Sequence, residues 1–231
     1  MSWPIHGLPV AYTGPHTLSI GAGQCKDSSD TRVLLVRPGA SVGIDAGHTG
    51  AGGLDTGELA PSTAYGVWLA RRNDGRLYGL ISESFDAHTV AFAEGTVAVR
   101  RLGTVLTDAE ADLVPFGQGG GGERCTRWRS AQASRVVVDT GSTDDTGDTG
   151  DVADWAAVDL TALVSPRAHT VHLQLWPEGG PVELGEGPEG PATLCTRSAL
   201  EVTVWRGDGL VYRLPEGGSV TIVVAGFSES V

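Results

Sequence analysis

The chain has 231 residues, 28 Asp and Glu against 16 Lys and Arg, and a formal net charge of −12. That balance argues against a nucleic-acid partner, since a phosphate-binding groove needs clustered cations and the densest basic run, Arg124, Arg127 and Arg129, is flanked by acid. With 34 glycines and 12 prolines the sequence favours turns and short strands over long helices, and it is long enough to bury a core without disulfide or metal staples.

In chain order, the N-terminal MSWPIHGLPV lacks the charged and apolar regions of a signal peptide. Residues 16–23 (HTLSIGAG) alternate before a Gly-rich break, and 32–39 (RVLLVRPG) form a short apolar run stopped by Pro-Gly. Residues 43–62 are a long loop rich in Gly and Asp. Residues 62–84 predict a hairpin of two strand-like runs about Asn73-Asp74-Gly75, a favourable tight-turn sequence. Residues 96–108 are a further strand, and 107–116 are open between a helical turn and a β-turn. GQGGGGER (117–124) is a flexible joint; a phosphate-binding loop needs Gly-Lys-Ser/Thr after its glycines, and Glu123-Arg124 stand there instead.

The second half opens with RVVVD and the acidic tract DTGSTDDTGDTGD (139–151). Residues 153–166 are ambiguous between a short helix and an apolar loop. Residues 168–176 alternate, with Val171, Leu173 and Leu175 on one face and His172 and Gln174 on the other. After a Gly/Pro/Glu loop at 177–192 come strands at 199–207, 210–217 and 219–227, the first two read as a hairpin about Gly207-Asp208-Gly209. No apolar run approaches the roughly 20 residues that span a bilayer.

Asp139-Thr140-Gly141 after three valines has the local form of an aspartic protease site. The tripeptide recurs at Asp55, Asp145 and Asp148, so it is cheap in this composition, and the carboxylates that follow Asp139 would hydrate and repel where a dry dyad needs apolar support. A strand ending in a solvated loop is the better reading, and no enzymatic role is expected. Asp144, Asp145, Asp148 and Asp151 are the candidate ligands for a metal; calcium takes such oxygens, although the spacing matches no EF-hand loop, and no other cofactor is implied. Cys25, Cys125 and Cys195 are widely spaced and odd in number, which favours thiols over a disulfide framework. His169 and His172 lie three apart in a strand, on opposite faces, so they do not chelate one ion together. Of Trp68, Trp128, Trp155, Trp176 and Trp205, most read as core; Trp176, beside the 177–192 loop, and His48, in the 43–60 loop, are the candidate ligand-binding residues for a glycan.

Three quoted stretches keep a fixed order: LSIGAGQCKDSSDTRVLLV (18–36), GAGGLDTGELAPSTAYGVWLARRNDGRLYGLISES (50–84) and VRRLGTVLTDAEADLVPF (99–116). This pattern resembles a module of tailed-bacteriophage virion proteins, including tail fibres and the proteins encoded beside them. That module shows a Gly-x-Gly segment leading to Asp-Ser/Thr, a GTGAGGLDTG-like loop, an aromatic strand pair and an RRIGSILTD…PF-like segment. The likeness is specific from about 18 to 117 and rests only on strand character from 118 to 231, where the acidic tract departs from it. The resemblance implies a non-enzymatic structural protein of the virion, made in the host cytoplasm. It would be a tail fibre, an appendage or a capsid decoration, assembling with other virion proteins and with itself, a trimer by analogy with fibres. It also gives Asp55-Thr56-Gly57 a plain role as a turn. A glycan- or receptor-binding module is the alternative, and a protease the third reading. The expected fold is all-β, a jelly-roll-like β-sandwich with long Gly-rich loops, divided into 1–118 and 119–231.

Overall fold

The structure is a computed structural model that describes residues 4–119, 123–128, 135–139, 155–160, 163–185, 192–195, 200–205, 210–214 and 219–231. The fold is all-β: among the described residues there are strands, turns and single bridges, and no helix long and apolar enough to cross a membrane. The chain divides into two compact units, the first made of residues 1–133, 165–167 and 228–231 and the second of 134–164 and 168–227.

The first unit holds β1 (His6–Gly7), β2 (Val10–Gly14), β3 (Thr17–Ile20), β4 (Gly23–Lys26), β5 (Val33–Val36) and β6 (Val42–Asp45). It continues with β7 (Ala64–Arg72), β8 (Leu77–Ser82), β9 (Thr96–Leu106), β10 (Phe116–Gly119) and β11 (Glu123–Trp128). They form three antiparallel three-stranded sheets, ordered β1-β4-β5, β2-β3-β6 and β8-β7-β9, and the pair β10-β11. The expected hairpin is β7-β8. Gly75 takes a positive φ of 86° and donates to the Arg72 carbonyl at 3.0 Å, while the Asp74 carboxylate accepts from the Arg76 amide.

Strand β7 explains why YGVWLA is apolar at every position. Side chains alternate along a strand, so Val67 and Leu69 enter the main core while Trp68 and Ala70 enter a second cluster on the other face. The main core joins Leu18 and Ile20 of β3, Leu34 of β5, Ile44 of β6, Ile81 of β8 and Phe116 of β10, all buried. The sheets meet closely at Gly79 of β8, where an added Cβ would lie 2.4 Å from Ile44 Cγ1 and 3.3 Å from Ile20 Cδ1. The second cluster, Trp68, Tyr78, Leu80 and Val90, is roofed by the β8–β9 connection through Ala87, Phe92 and Ala93. Burying one such aliphatic side chain contributes about 1.5–3 kcal/mol.

Strand β9 changes phase partway along. Val67 pairs with Gly103 and Trp68 with Arg101, which leaves Leu102 unopposed as a β-bulge. Ala98 and Leu102 therefore share the main core with Val105, although 98 and 102 are even positions and 105 is odd. Just beyond β9, residues 107–113 settle as a turn closed by an antiparallel Thr107–Leu113 bridge, not as a helical turn.

The second unit holds β12 (Arg135–Asp139), β13 (Ala156–Val158), β14 (Ala168–Glu178), β15 (Val182–Gly185), β16 (Ala192–Cys195), β17 (Leu200–Trp205), β18 (Leu210–Arg213) and β19 (Ser219–Ser230), whose residues from 228 onward belong to the first unit. Its sheets run β12-β19-β14-β17 and β13-β18-β15-β16. Val171, Leu173 and Leu175 of β14 are fully buried as the alternation required, and His172, on the opposite face, is buried too. The expected β17–β18 hairpin is corrected. Strand β17 pairs residue for residue with β14, from Leu200–Leu175 to Trp205–Thr170, whereas β18 joins β13 and β15 in the other sheet.

Candidate functional site

The expected ligand-binding residues fall in different units. His48 is exposed in the 46–55 loop of the first unit, with its Nδ1 3.8 Å from an Asp45 carboxylate oxygen. The loop is fixed by backbone bonds: Asp55 N–H donates to the Ile81 carbonyl at 2.9 Å and Ile81 N–H to the Gly53 carbonyl at 3.0 Å, so it lies along β8. Only glycine fits at 53, since a Cβ there would stand 2.1 Å from the His48 carbonyl oxygen. Asp55 serves this loop: its carboxylate accepts from Thr56 N–H at 2.8 Å and from the Ser82 hydroxyl at 2.7 Å.

Trp176, near the end of β14 in the second unit, is 37 % exposed. Trp68 is buried, edge-on to Phe92 at 5.7 Å, and Trp155 lies beneath the Arg213 guanidinium, 4.9 Å from ring centre to Cζ. Asp139 is the last residue of β12, opposite Thr221 of β19. Asp144, Asp145, Asp148 and Asp151 lie outside the described residues, as does Arg129. Arg124 does not belong to a surface basic patch. It is 1 % exposed and donates from Nη2 to the Gly7 and Leu8 carbonyls at 2.9 and 3.1 Å. Burial lowers its pKa, with Cys25 and Glu229 acting the other way.

Two features that single-residue reading of the sequence did not find dominate the first unit. One is an interior polar knot. Glu229 is fully buried, and its Oε2 accepts from Arg101 Nη1 at 2.6 Å, Thr104 Oγ1 at 2.8 Å and Ser165 Oγ at 3.0 Å, while Oε1 is buried with no hydrogen-bond partner. Beside the knot, Gly103 leaves room for the Gln118 side chain, since a Cβ there would sit 2.5 Å from Gln118 Nε2. A buried carboxylate is tolerable only when paired and hydrogen-bonded, and the β9 bulge is what aims Arg101 and Thr104 at it. The one signal in the sequence is a charged residue closing the apolar run VTIVVAGFSE.

The other is a groove beside β9. One cavity of about 450 Å³ is lined by Phe85, Asp86, His88, Arg101, Arg167 and Ser230 among others. A second, of about 600 Å³, shares Ser28, Ala87 and His88 with it and continues along Thr96–Val99 under the β8–β9 connection. Both are depressions largely open to solvent. The strand's own carbonyls there are already taken, Val97 by Arg32 Nη1 at 2.7 Å and Val99 by the Ser28 amide at 2.8 Å and hydroxyl at 2.9 Å. Side chains therefore line the groove, and an added strand would find Val97 and Val99 occupied.

The Asp27–Arg32 turn that forms the groove's far wall is held by one carboxylate. Asp27 accepts from Thr31 and Arg32 N–H at 2.9 and 3.0 Å and from the Ser29 hydroxyl at 2.9 Å. Burial pushes its pKa up, but the Arg32, Ser29 and Thr31 hydrogen bonds and the Arg32 charge outweigh it, and the net shift is downward. Next to it Cys25 is buried, which pushes its thiol up to about 11 despite Arg100 and Arg124 nearby. Among the described residues no group of three or more His, Cys, Asp and Glu is placed to hold a metal ion. Comparison with protein-family models, with curated proteins and with solved structures found no match to this chain.

Proposed function

We propose that this is a structural protein of a tailed-phage virion, a fibre or appendage part or a capsid decoration, that acts by assembly. The observation that carries the reading is the way the three quoted stretches fold. Residues 18–36 supply Leu18, Ile20, Cys25, Leu34 and Val36 to one core; 50–84 supply Leu54, Tyr65, Val67 and Ile81; 99–116 supply Leu102, Val105, Leu113 and Phe116. The three stretches share one core, which supports reading them as a single module, and the Asp55 turn is a structural part of it.

Assembly has candidate surfaces in both units. Val33 and Leu35 on the edge strand β5 are 49 % and 48 % exposed, and Leu194 on the edge strand β16 is 56 % exposed. Apolar residues on open sheet edges support self-association, and a homotrimer is the form proposed. The decisive experiment is to band virions from the host that carries the gene, identify the chain by mass spectrometry and place it by immunogold labelling. The expected result is the chain in stoichiometric copies on particles; its absence from purified particles overturns the reading. Sedimentation equilibrium is expected to give three times the chain mass, and a stable monomer at micromolar concentration removes the trimer.

The groove beside β9 favours a second reading, a receptor-binding part on the virion surface. In that reading residues 85–101 and 167 offer a further candidate surface beside His48 and Trp176.

A further inference from the structure

In a chain of net charge −12, the smaller cavity beside β9 is lined by three arginines, Arg100, Arg101 and Arg167, and by one acidic side chain, Asp86. Two of the three are committed. Arg100 Nη2 donates to the Val231 carbonyl oxygen at 2.7 Å, and Arg101 donates to Glu229 and to the Ser230 carbonyl, both at 2.6 Å. These bonds hold Arg101 rigid, with its Cζ 5.8 Å from the Phe85 ring centre. Arg167 is different. Its backbone is anchored by N–H donation to Ser165 Oγ at 3.1 Å, its side chain is exposed, and among the described residues its guanidinium has no partner.

Three chemistries therefore meet in about 450 Å³. Arg167 offers a planar pair of donors suited to a carboxylate. Phe85, half-buried, lines the cavity with apolar ring surface and lies beneath the Arg101 guanidinium. Asp86 has one oxygen engaged by the His88 N–H at 3.0 Å, which leaves the other to accept from hydroxyl groups. A carboxylate ligand without hydroxyls would meet Arg167 but leave Asp86 as a repulsive neighbour. A ligand carrying both a carboxylate and ring hydroxyls would use both groups and lay the C–H face of its ring on Phe85. We propose that this cavity is a binding site for an acidic sugar, a uronic-acid-type residue of a glycan, with Arg167 on the carboxylate, Asp86 on ring hydroxyls and Phe85 as the platform. The larger cavity, continuous through Ser28, Ala87 and His88, gives the next sugar of the chain a place to lie.

The site stands whether or not the protein belongs to a virion, so its failure and that of the structural reading are distinguishable. Binding is measured by NMR titration of the whole chain with methyl glucuronoside and methyl glucoside, which differ only in a carboxylate against a hydroxymethyl group, and with N-acetyl-glutamate amide as a carboxylate without ring hydroxyls. The expected result is that the glucuronoside binds about tenfold or more tightly than either comparator, and that added salt weakens it. Arg167→Gln and Phe85→Ala are each expected to weaken it about tenfold, while His48→Ala leaves it unchanged. Arg167 is exposed, so the Gln variant is expected to keep the wild-type melting temperature, which is checked in parallel. Equal binding of the glucoside, equal binding of the glutamate derivative, no glucuronoside binding up to ~10 mM, or insensitivity to Arg167→Gln would each overturn the proposal.

Discussion

At the scale of residues, the interior of the first unit depends on a few polar groups whose neighbours set their charge. Arg101→Ala would leave Glu229 as an unneutralised carboxylate with no solvent exposure, and the expected loss is about 3–5 kcal/mol in urea unfolding. Glu229→Gln keeps an oxygen for the Thr104 and Ser165 hydroxyls and is expected to cost clearly less. Asp27 works in the acid range. Its folded pKa lies below the ordinary 3.8, so its contribution is complete above that value and disappears as pH falls through the lowered folded value. Asp27→Asn should therefore show a flatter loss of stability than the wild type on acidification, read from thermal melts across that range. Cys25 works at the other end. Its thiol is pushed from 9.0 to about 11, so the unfolded chain gives up the proton first and stability declines as pH rises from the lower value towards the higher. The native Cys25 thiol is expected to resist a disulfide reagent at pH about 8 and to react once urea unfolds the chain; rapid native labelling at Cys25, mapped by mass spectrometry, would contradict its burial.

At the scale of elements, what could be read from the sequence was whatever is encoded locally. The Asn73-Asp74-Gly75 turn needs a positive φ where glycine stands, and the alternation through Val171, Leu173 and Leu175 needs one buried face; both are properties of a few neighbouring residues. The β17–β18 pairing was misread because Gly-Asp-Gly permits a reversal without naming the partner, and the six-residue match of β17 to β14 won. The bulge at Leu102 and the close approach at Gly79 depend on strands far away in sequence, so nothing local announces them. The groove was invisible for the same reason: Phe85, Asp86, Arg101 and Arg167 come from three separated stretches. Gly79→Ala tests the approach of the two sheets. Its Cβ would press on Ile44 and Ile20, and overpacking of this kind is expected to cost about 1–3 kcal/mol; simultaneous Ile44→Val should recover part of it in the same urea titration.

At the scale of the whole molecule, chain order and architecture disagree, because the first unit recruits residues 165–167 and 228–231 from beyond its main stretch. Removing 228–231 takes away Glu229 and the Val231 carbonyl that Arg100 uses. A chain ending at Phe227 is therefore expected to lose protection of β9 amides in hydrogen exchange; unchanged protection would mean that Glu229 is dispensable. The bond between Arg101 and Glu229 spans 128 positions, and contacts so distant are slow to form. During synthesis, Arg101 and Thr104 leave the ribosome long before their carboxylate partner has been translated. The first unit must wait, unfinished, until residues 228–231 have been made, so a product stopped short of them would carry its defect far back in the chain, around Arg101.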